Sequence, residues 1–154
     1  MTRDVWRIIK AKHADVAYSG EGARRFGGRW NSPGMSVVYM AESRSLAALE
    51  MLVHLNSQSL LGSYVIGRAV IQEKWIESVR IDSLPENWRE FPASPELREI
   101  GDRWLKAGKS VVLMVPSAVV VGEFNYLLNP KHPDFQKIRF QEFEPFVFDK
   151  RLKL

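Results

Sequence analysis

The sequence predicts an α+β fold, a sheet core flanked by helices, and three observations carry that expectation. Runs of β-branched and aromatic residues of strand length recur from Val5 almost to the end of the chain. Two segments with helix-start residues, one after Ser43 and one after Ser94, interrupt them. The two kinds of segment do not alternate regularly, as they would in a doubly wound parallel sheet. The 154 residues contain no repeat, low-complexity stretch or linker. A single domain over residues 1–154 is therefore expected, long enough to bury most of its apolar surface.

Taken in order, Val5 to Ile9 reads as an opening strand. Tyr18 to Gly34 reads as a long loop rich in Gly and Arg, ending at Ser32-Pro33-Gly34, and long loops in small domains tend to carry function. Ser36 to Ala41 is β-branched and aromatic enough for a short strand, and Ser43 is placed to cap a helix running to about Leu55. Tyr64 to Ile71 and Val79 to Ile81 read as further strands, followed by an irregular connection marked by Pro85, Pro92 and Pro95. Ser94-Pro95-Glu96 supplies the cap, first-turn proline and early acid of a helix, with Leu97, Ile100 and Trp104 on one face and Gly108 as its stop. Val111 to Val115 is a continuous apolar run, a buried central strand whose end at Pro116-Ser117 is a natural site edge. Asn125 to Pro133 reads as a fixed loop, and Ile138 to Phe148 as a last strand region broken in two by Pro145.

Composition narrows the function classes. With 22 basic and 18 acidic residues the net charge is +4, which suits an anionic ligand, nucleic acid or a phosphorylated metabolite, without choosing between them. There is no cysteine, so disulfides and thiolate zinc sites are excluded and the cytoplasm is the default compartment. Arg3, Asp4 and Arg7 interrupt what would have to be the apolar core of a signal peptide. The apolar runs Val111 to Val115 and Ala118 to Val121 are too short to span a bilayer, so no membrane association is expected.

The loop from Gly20 to Asn31 sets three arginines, Arg24, Arg25 and Arg29, among four glycines. Backbone N–H groups and guanidinium forks there can converge on an anion such as a diphosphate, or the glycines serve only turn geometry. Gly20-x-Gly22 is no dinucleotide fingerprint, since Arg25 stands where the third glycine belongs. Glu50 lies between Leu46-Ala47-Ala48-Leu49 and Met51-Leu52-Val53, a carboxylate in a helix apolar almost all round. At helical spacing from Leu46 and Val53 it shares their buried face, where it requires a partner: a structural ion pair, or a place in a cleft. Tyr39 fits either a core aromatic or a stacking platform for a planar ring. Ser117 fits a cap or a donor to a ligand, with no Ser/His/Asp order around it. His13, His54 and His132 lack metal-ligand spacing, so no metal is expected.

These motifs, Gly27-Gly28-Arg29-Trp30-Asn31, Tyr39 in a strand, Ala41-Glu42-Ser43, and Glu50 in a helix, resemble in order and spacing those of the RES domain. The similarity continues through Leu84-Pro85, Trp88-Arg89, Val115-Pro116-Ser117 and the Asn125 to Pro133 block, and so covers nearly the whole chain. It implies an ADP-ribosyltransferase-like fold with a mixed, mostly antiparallel sheet. It also implies an NAD+-consuming toxin of a bacterial type II toxin–antitoxin system. An Xre-like antitoxin would block its active site and supply the DNA binding, with toxin dimers inside a larger complex. Carried over residue by residue, the family's catalytic arginine, tyrosine, glutamate and serine fall on Arg29, Tyr39, Glu50 and Ser117.

On that reading Glu50 stabilises the charge that builds on ribose as nicotinamide leaves. Arg29 binds phosphate or keeps Glu50 ionised, Tyr39 stacks on nicotinamide, and Ser117 bonds the ribose or the amide. Arg24, Asn31 and Asn125 are further candidate contacts to the dinucleotide. Water, inorganic phosphate and a protein side chain all remain open as acceptors. The rival from another class is a non-enzymatic nucleic-acid-binding module using Arg24, Arg25, Arg29, Lys150, Arg151 and Lys153.

Overall fold

The structure is a computed structural model, describing residues 1–56 and 58–152. Strand β1 (Thr2–Lys10) leads through a 3-10 turn to a short helix α1 (Glu21–Phe26), then β2 (Val38–Ala41) and helix α2 (Arg44–Leu52). Strands β3 (Tyr64–Gln72) and β4 (Ile76–Ser78) precede helix α3 (Pro95–Ala107). The chain closes with β5 (Val112–Pro116), β6 (Phe124–Leu128), β7 (Arg139–Phe140) and β8 (Glu144–Phe146).

The strands form one mixed sheet in the order β4-β5-β6-β2-β1-β3-β7, with β8 also paired to β3. Only the β4–β5 pairing is parallel among the described residues, which makes the sheet mostly antiparallel as expected. β1 and β3 pair over their whole length, Thr2 against Gln72 through Lys10 against Tyr64. β1 and β2, by contrast, meet at the single pair Trp6 and Ala41. The sheet is thus two well-knit wings joined at a narrow seam, and residues of both seam strands line a cavity.

Three apolar clusters hold the layers. Val5, Val38, Met40, Ile71, Val112 and Tyr126 fill the sheet's middle. Leu46 and Leu52 of α2 pack on Ile8, Tyr64 and Ile66. Leu97 and Trp104 of α3 pack on Trp30, Leu113, Val115 and Leu127. At Gly101, on the same buried face of α3, a side chain would collide with the Trp30 carbonyl. Glycine therefore lets the helix lie directly against the loop that carries Arg29.

Several expectations require correction. Tyr18 to Gly34 is not all loop: it contains α1, bracketed by Gly20 and Gly27 at φ of 75° and 71°. The strand expected at Val79 to Ile81 lies earlier, at Ile76–Ser78, because β4 takes its register from β5 and the chain turns once Val79 N has bonded Met114 O. The buried run β5 is second from the sheet edge, not central; α3 supplies its cover. Asn125 to Leu128 belongs to β6, paired on both edges with β2 and β5, so the loop starts only at Asn129. α2 stops at Leu52, short of Leu55. The last strand region breaks at residues 141–143, and Pro145 sits inside β8, opposite Val65. Ser94 precedes α3 without a side-chain capping bond.

Candidate active site

A cavity of about 900 Å³ opens beside the seam between β1 and β2. Its walls come from β1, the stretch from Val16 through α1 to Trp30, the C-terminal half of α2, the segment around Arg89 and Phe91, and the turn at Ala118 and Val119. Tyr39 of β2 and Asn125 of β6 face it from the sheet.

Glu50 enters this cavity because of the register of α2. Ser43 fixes the helix start, its Oγ accepting from Leu46 N at 3.0 Å. Leu46 and Ala47 are buried, and Glu50 lies one turn further along that side, now at the cavity wall. Val53, expected to share the face, is instead exposed at the rim. The two carboxylate oxygens are held separately: Ser117 Oγ donates to Oε1 at 3.0 Å and Asn125 Nδ2 to Oε2 at 2.7 Å. Burial pushes this carboxyl above the usual carboxylate range, against the pull of those two bonds and of the nearby Arg29 charge. The arrangement is a carboxylate held at both oxygens on the wall of the cleft.

Ser117 itself is 0 % exposed. Besides donating to Glu50, its Oγ accepts from Val119 N and Val120 N at 3.1 and 3.2 Å. It caps its turn and hydrogen-bonds Glu50, and it is not among the residues that line the cavity. Asn125 donates to Met40 O as well as to Glu50, and it does border the cavity.

Arg29 lines the cavity and donates through Nη1 to the carbonyls of Trp88 and Glu90, at 3.0 and 2.9 Å. It forms no ion pair with Glu50 within 4.0 Å, yet its charge is near enough to favour the ionised carboxylate. Tyr39 presents its ring to the cavity while its hydroxyl is spent internally, donating to Asn31 Oδ1 at 2.6 Å and accepting from Trp30 N at 3.1 Å. Burial raises this phenol well above its ordinary range. A side chain at Gly28 would come within 2.7 Å of the Tyr39 hydroxyl, so glycine is what allows the loop to close over that ring.

Two residues expected to contact a dinucleotide lie outside the cavity lining. Asn31 is wholly buried, its Nδ2 bonded to the carbonyls of Ala23 and Met35 at 2.9 and 3.1 Å, so it ties α1 to the loop and does not line the cavity. Arg24 also lies outside the lining, in a two-pronged bond to Glu21 at 2.8 and 2.5 Å. Arg25 approaches the same Glu21 at 3.9 Å, and Arg151 pairs with Asp149 at 2.9 Å. The cations of the nucleic-acid reading are thus scattered and largely paired, while Lys153 lies outside the described residues.

The sequence reading missed Arg7. Its Nη1 donates to Tyr39 O at 3.3 Å across the seam, it lines the cavity, and no carboxylate stands within ion-pair distance among the described residues. Burial lowers its affinity for the proton. The signal was present: a lone charge inside Val5-Trp6-Arg7-Ile8-Ile9 is as anomalous as Glu50 in its helix. His54 and Arg89 also line the cavity, the latter donating from Nε to Ala118 O at 3.1 Å.

A family model described as the RES domain matches residues 4–149. The chain is 38% identical over 151 residues to a protein of Yersinia enterocolitica named Toxin Res, covering 97% of this chain and 99% of that one. It is 36% identical to the Prs ADP-ribosylating toxin of a Sphingobium species, covering 99% of this chain and 98% of the relative. Its fold matches a chain of the Mycobacterium tuberculosis MbcT-MbcA toxin-antitoxin complex with a TM-score of 0.76 at 17% identity, over 96% of this chain and 85% of that one.

Proposed function

We propose, from the premise that this chain belongs to the RES domain family, that it is the toxin of a toxin–antitoxin pair and breaks the nicotinamide–ribose bond of NAD+. The observation that carries the reading is the Glu50 carboxylate, held by Ser117 and Asn125 and aimed into a cavity lined also by Arg7 and Arg29. A cavity of about 900 Å³ is at the upper end of small-molecule sites and suits a dinucleotide. The guanidinium groups of Arg7, Arg29 and Arg89 at its wall suit a diphosphate.

The chemistry follows from where charge develops. As the C–N bond breaks, its electron pair leaves with the nicotinamide nitrogen and positive charge builds on the ribose. A carboxylate already fixed at that point stabilises the transition state more than the substrate, without reorganising. Ser117 and Asn125 act as positioning residues. Arg7 and Arg29 hold the diphosphate, Arg29 keeps Glu50 ionised, and the ring of Tyr39 orients nicotinamide. The anomeric carbon then accepts an oxygen from water or inorganic phosphate.

A second reading, transfer of ADP-ribose to a protein side chain, is favoured by the name of the Sphingobium relative. Likeness to a chain of a toxin–antitoxin complex supports an antitoxin partner, which we take to be Xre-like and to cover the cavity, with the toxin as a homodimer. Incubating the purified chain with NAD+, with and without phosphate, and weighing the products tests the proposal. Free nicotinamide with ADP-ribose or its phosphate ester supports it, and the ester alone identifies phosphate as acceptor. A protein band gaining the mass of ADP-ribose supports the second reading, and intact NAD+ throughout rules out both.

A further inference from the structure

The chain has eight phenylalanines, and six of them are buried or half-buried in the core. The other two, Phe26 and Phe91, are 81% and 82% exposed, and both stand at the wall of the same cavity. Large apolar side chains left this bare at a ligand-sized opening are informative in a way that scattered surface residues are not.

Both rings are tied to Arg29. Phe26 ends α1 three residues before it, with Gly27 turning the chain immediately afterwards at a φ of 71°. Phe91 follows Glu90, whose carbonyl accepts from the Arg29 guanidinium at 2.9 Å. The strap from Trp88 to Phe91 is pinned a second time, where Arg89 Nε donates to Ala118 O at 3.1 Å. Arg29, which holds the diphosphate on the reading above, is thus linked to two exposed aromatic rings, one through its own chain and one through the strap of residues it hydrogen-bonds. Val16 and Val53 extend the apolar rim.

We propose that Phe26 and Phe91 form a stacking platform at the cavity mouth for the purine base of the dinucleotide, making this chain selective for NAD+ over nicotinamide mononucleotide. The inference rests on the NAD+ reading above. With nicotinamide ribose at Glu50 and the diphosphate at Arg29, the adenosine end is directed outward, to where the two rings stand. Bases stack on aromatic side chains through their π-faces, and truncating such a ring to alanine weakens binding several-fold to a hundredfold.

The test compares wild type with Phe26→Ala, Phe91→Ala and the double variant. Both side chains are exposed, so thermal unfolding should be unchanged. Steady-state kinetics with NAD+ and with nicotinamide mononucleotide should show the double variant losing roughly tenfold of its preference for NAD+, through KM and not kcat. Calorimetric titration with ADP-ribose gives a readout independent of turnover, and affinity should fall by a similar factor. Equal affinity for ADP-ribose in wild type and double variant, or equal losses for both substrates, would overturn the platform. Unchanged KM with lost inhibition by the antitoxin would also overturn it, assigning the rings to a protein partner. If wild type cleaves neither substrate, the reaction proposed above fails, and the titration alone decides the platform.

Discussion

At the scale of single residues, the central fact is that Glu50 is held ionisable at some cost. Burial raises its proton affinity, while Asn125, Ser117 and the field of Arg29 oppose the rise without cancelling it. The consequence for stability has a definite sign. Between the ordinary carboxylate range and the raised value, the unfolded chain is ionised while the folded chain keeps the proton. The fold therefore loses stability as pH rises through that window, and above it carries the full penalty of a buried charge. Glu50→Gln should accordingly melt at a higher temperature than wild type at pH 8. That advantage should shrink as pH is lowered through the window, and vanish where both forms are protonated. A variant less stable than wild type at pH 8 would mean that the Ser117 and Asn125 bonds outweigh desolvation. Glu50 was legible in the sequence because a charge among leucines and alanines is rare enough to demand a reason. The same logic applied to Arg7, whose strand context is equally apolar.

At the scale of elements, legibility followed how locally each element is encoded. Helix α3 carries its own start and stop in Pro95, Glu96 and Gly108, and it forms where expected. Strand β6 is encoded by its neighbours: Asn125 looks like a loop residue, and only pairing with β2 and β5 on both edges makes the segment a strand. Val79 to Ile81 shows the converse, strand-like residues left outside the sheet because β5 sets the register at Ile76–Ser78. Packing between elements also reaches the site, since α3 touches the Trp30 backbone at Gly101. Gly101→Ala forces a methyl group onto a carbonyl that cannot yield without moving the loop bearing Arg29. Overpacking of this kind costs about 2 kcal/mol. Urea denaturation should show a lowered midpoint with an unchanged slope, together with reduced NAD+ turnover. Wild-type stability and activity in this variant would show that α3 does not brace the loop.

For the molecule as a whole, the topology explains why composition could not disclose the site. Arg7, Arg29, Tyr39, Glu50 and Asn125 come from two strands at the seam, a glycine loop, a helix and a strand late in the chain. They meet because β1 and β2 pair at one position only, leaving a cleft where a fully paired sheet would be closed. Motif order suggested the set, but not the division of labour within it. Ser117 hydrogen-bonds Glu50, Asn31 accepts from the Tyr39 hydroxyl, and Arg24 is bound to Glu21 on the surface. The measurement that bears most directly on the central claim is nicotinamide release from NAD+ by wild type and by Glu50→Gln, at equal concentration and with NAD+ binding checked by titration. The expected result is release by wild type, with a loss of a hundredfold or more in the variant while NAD+ still binds. Equal release by the two proteins would remove Glu50 from the reaction and contradict the account.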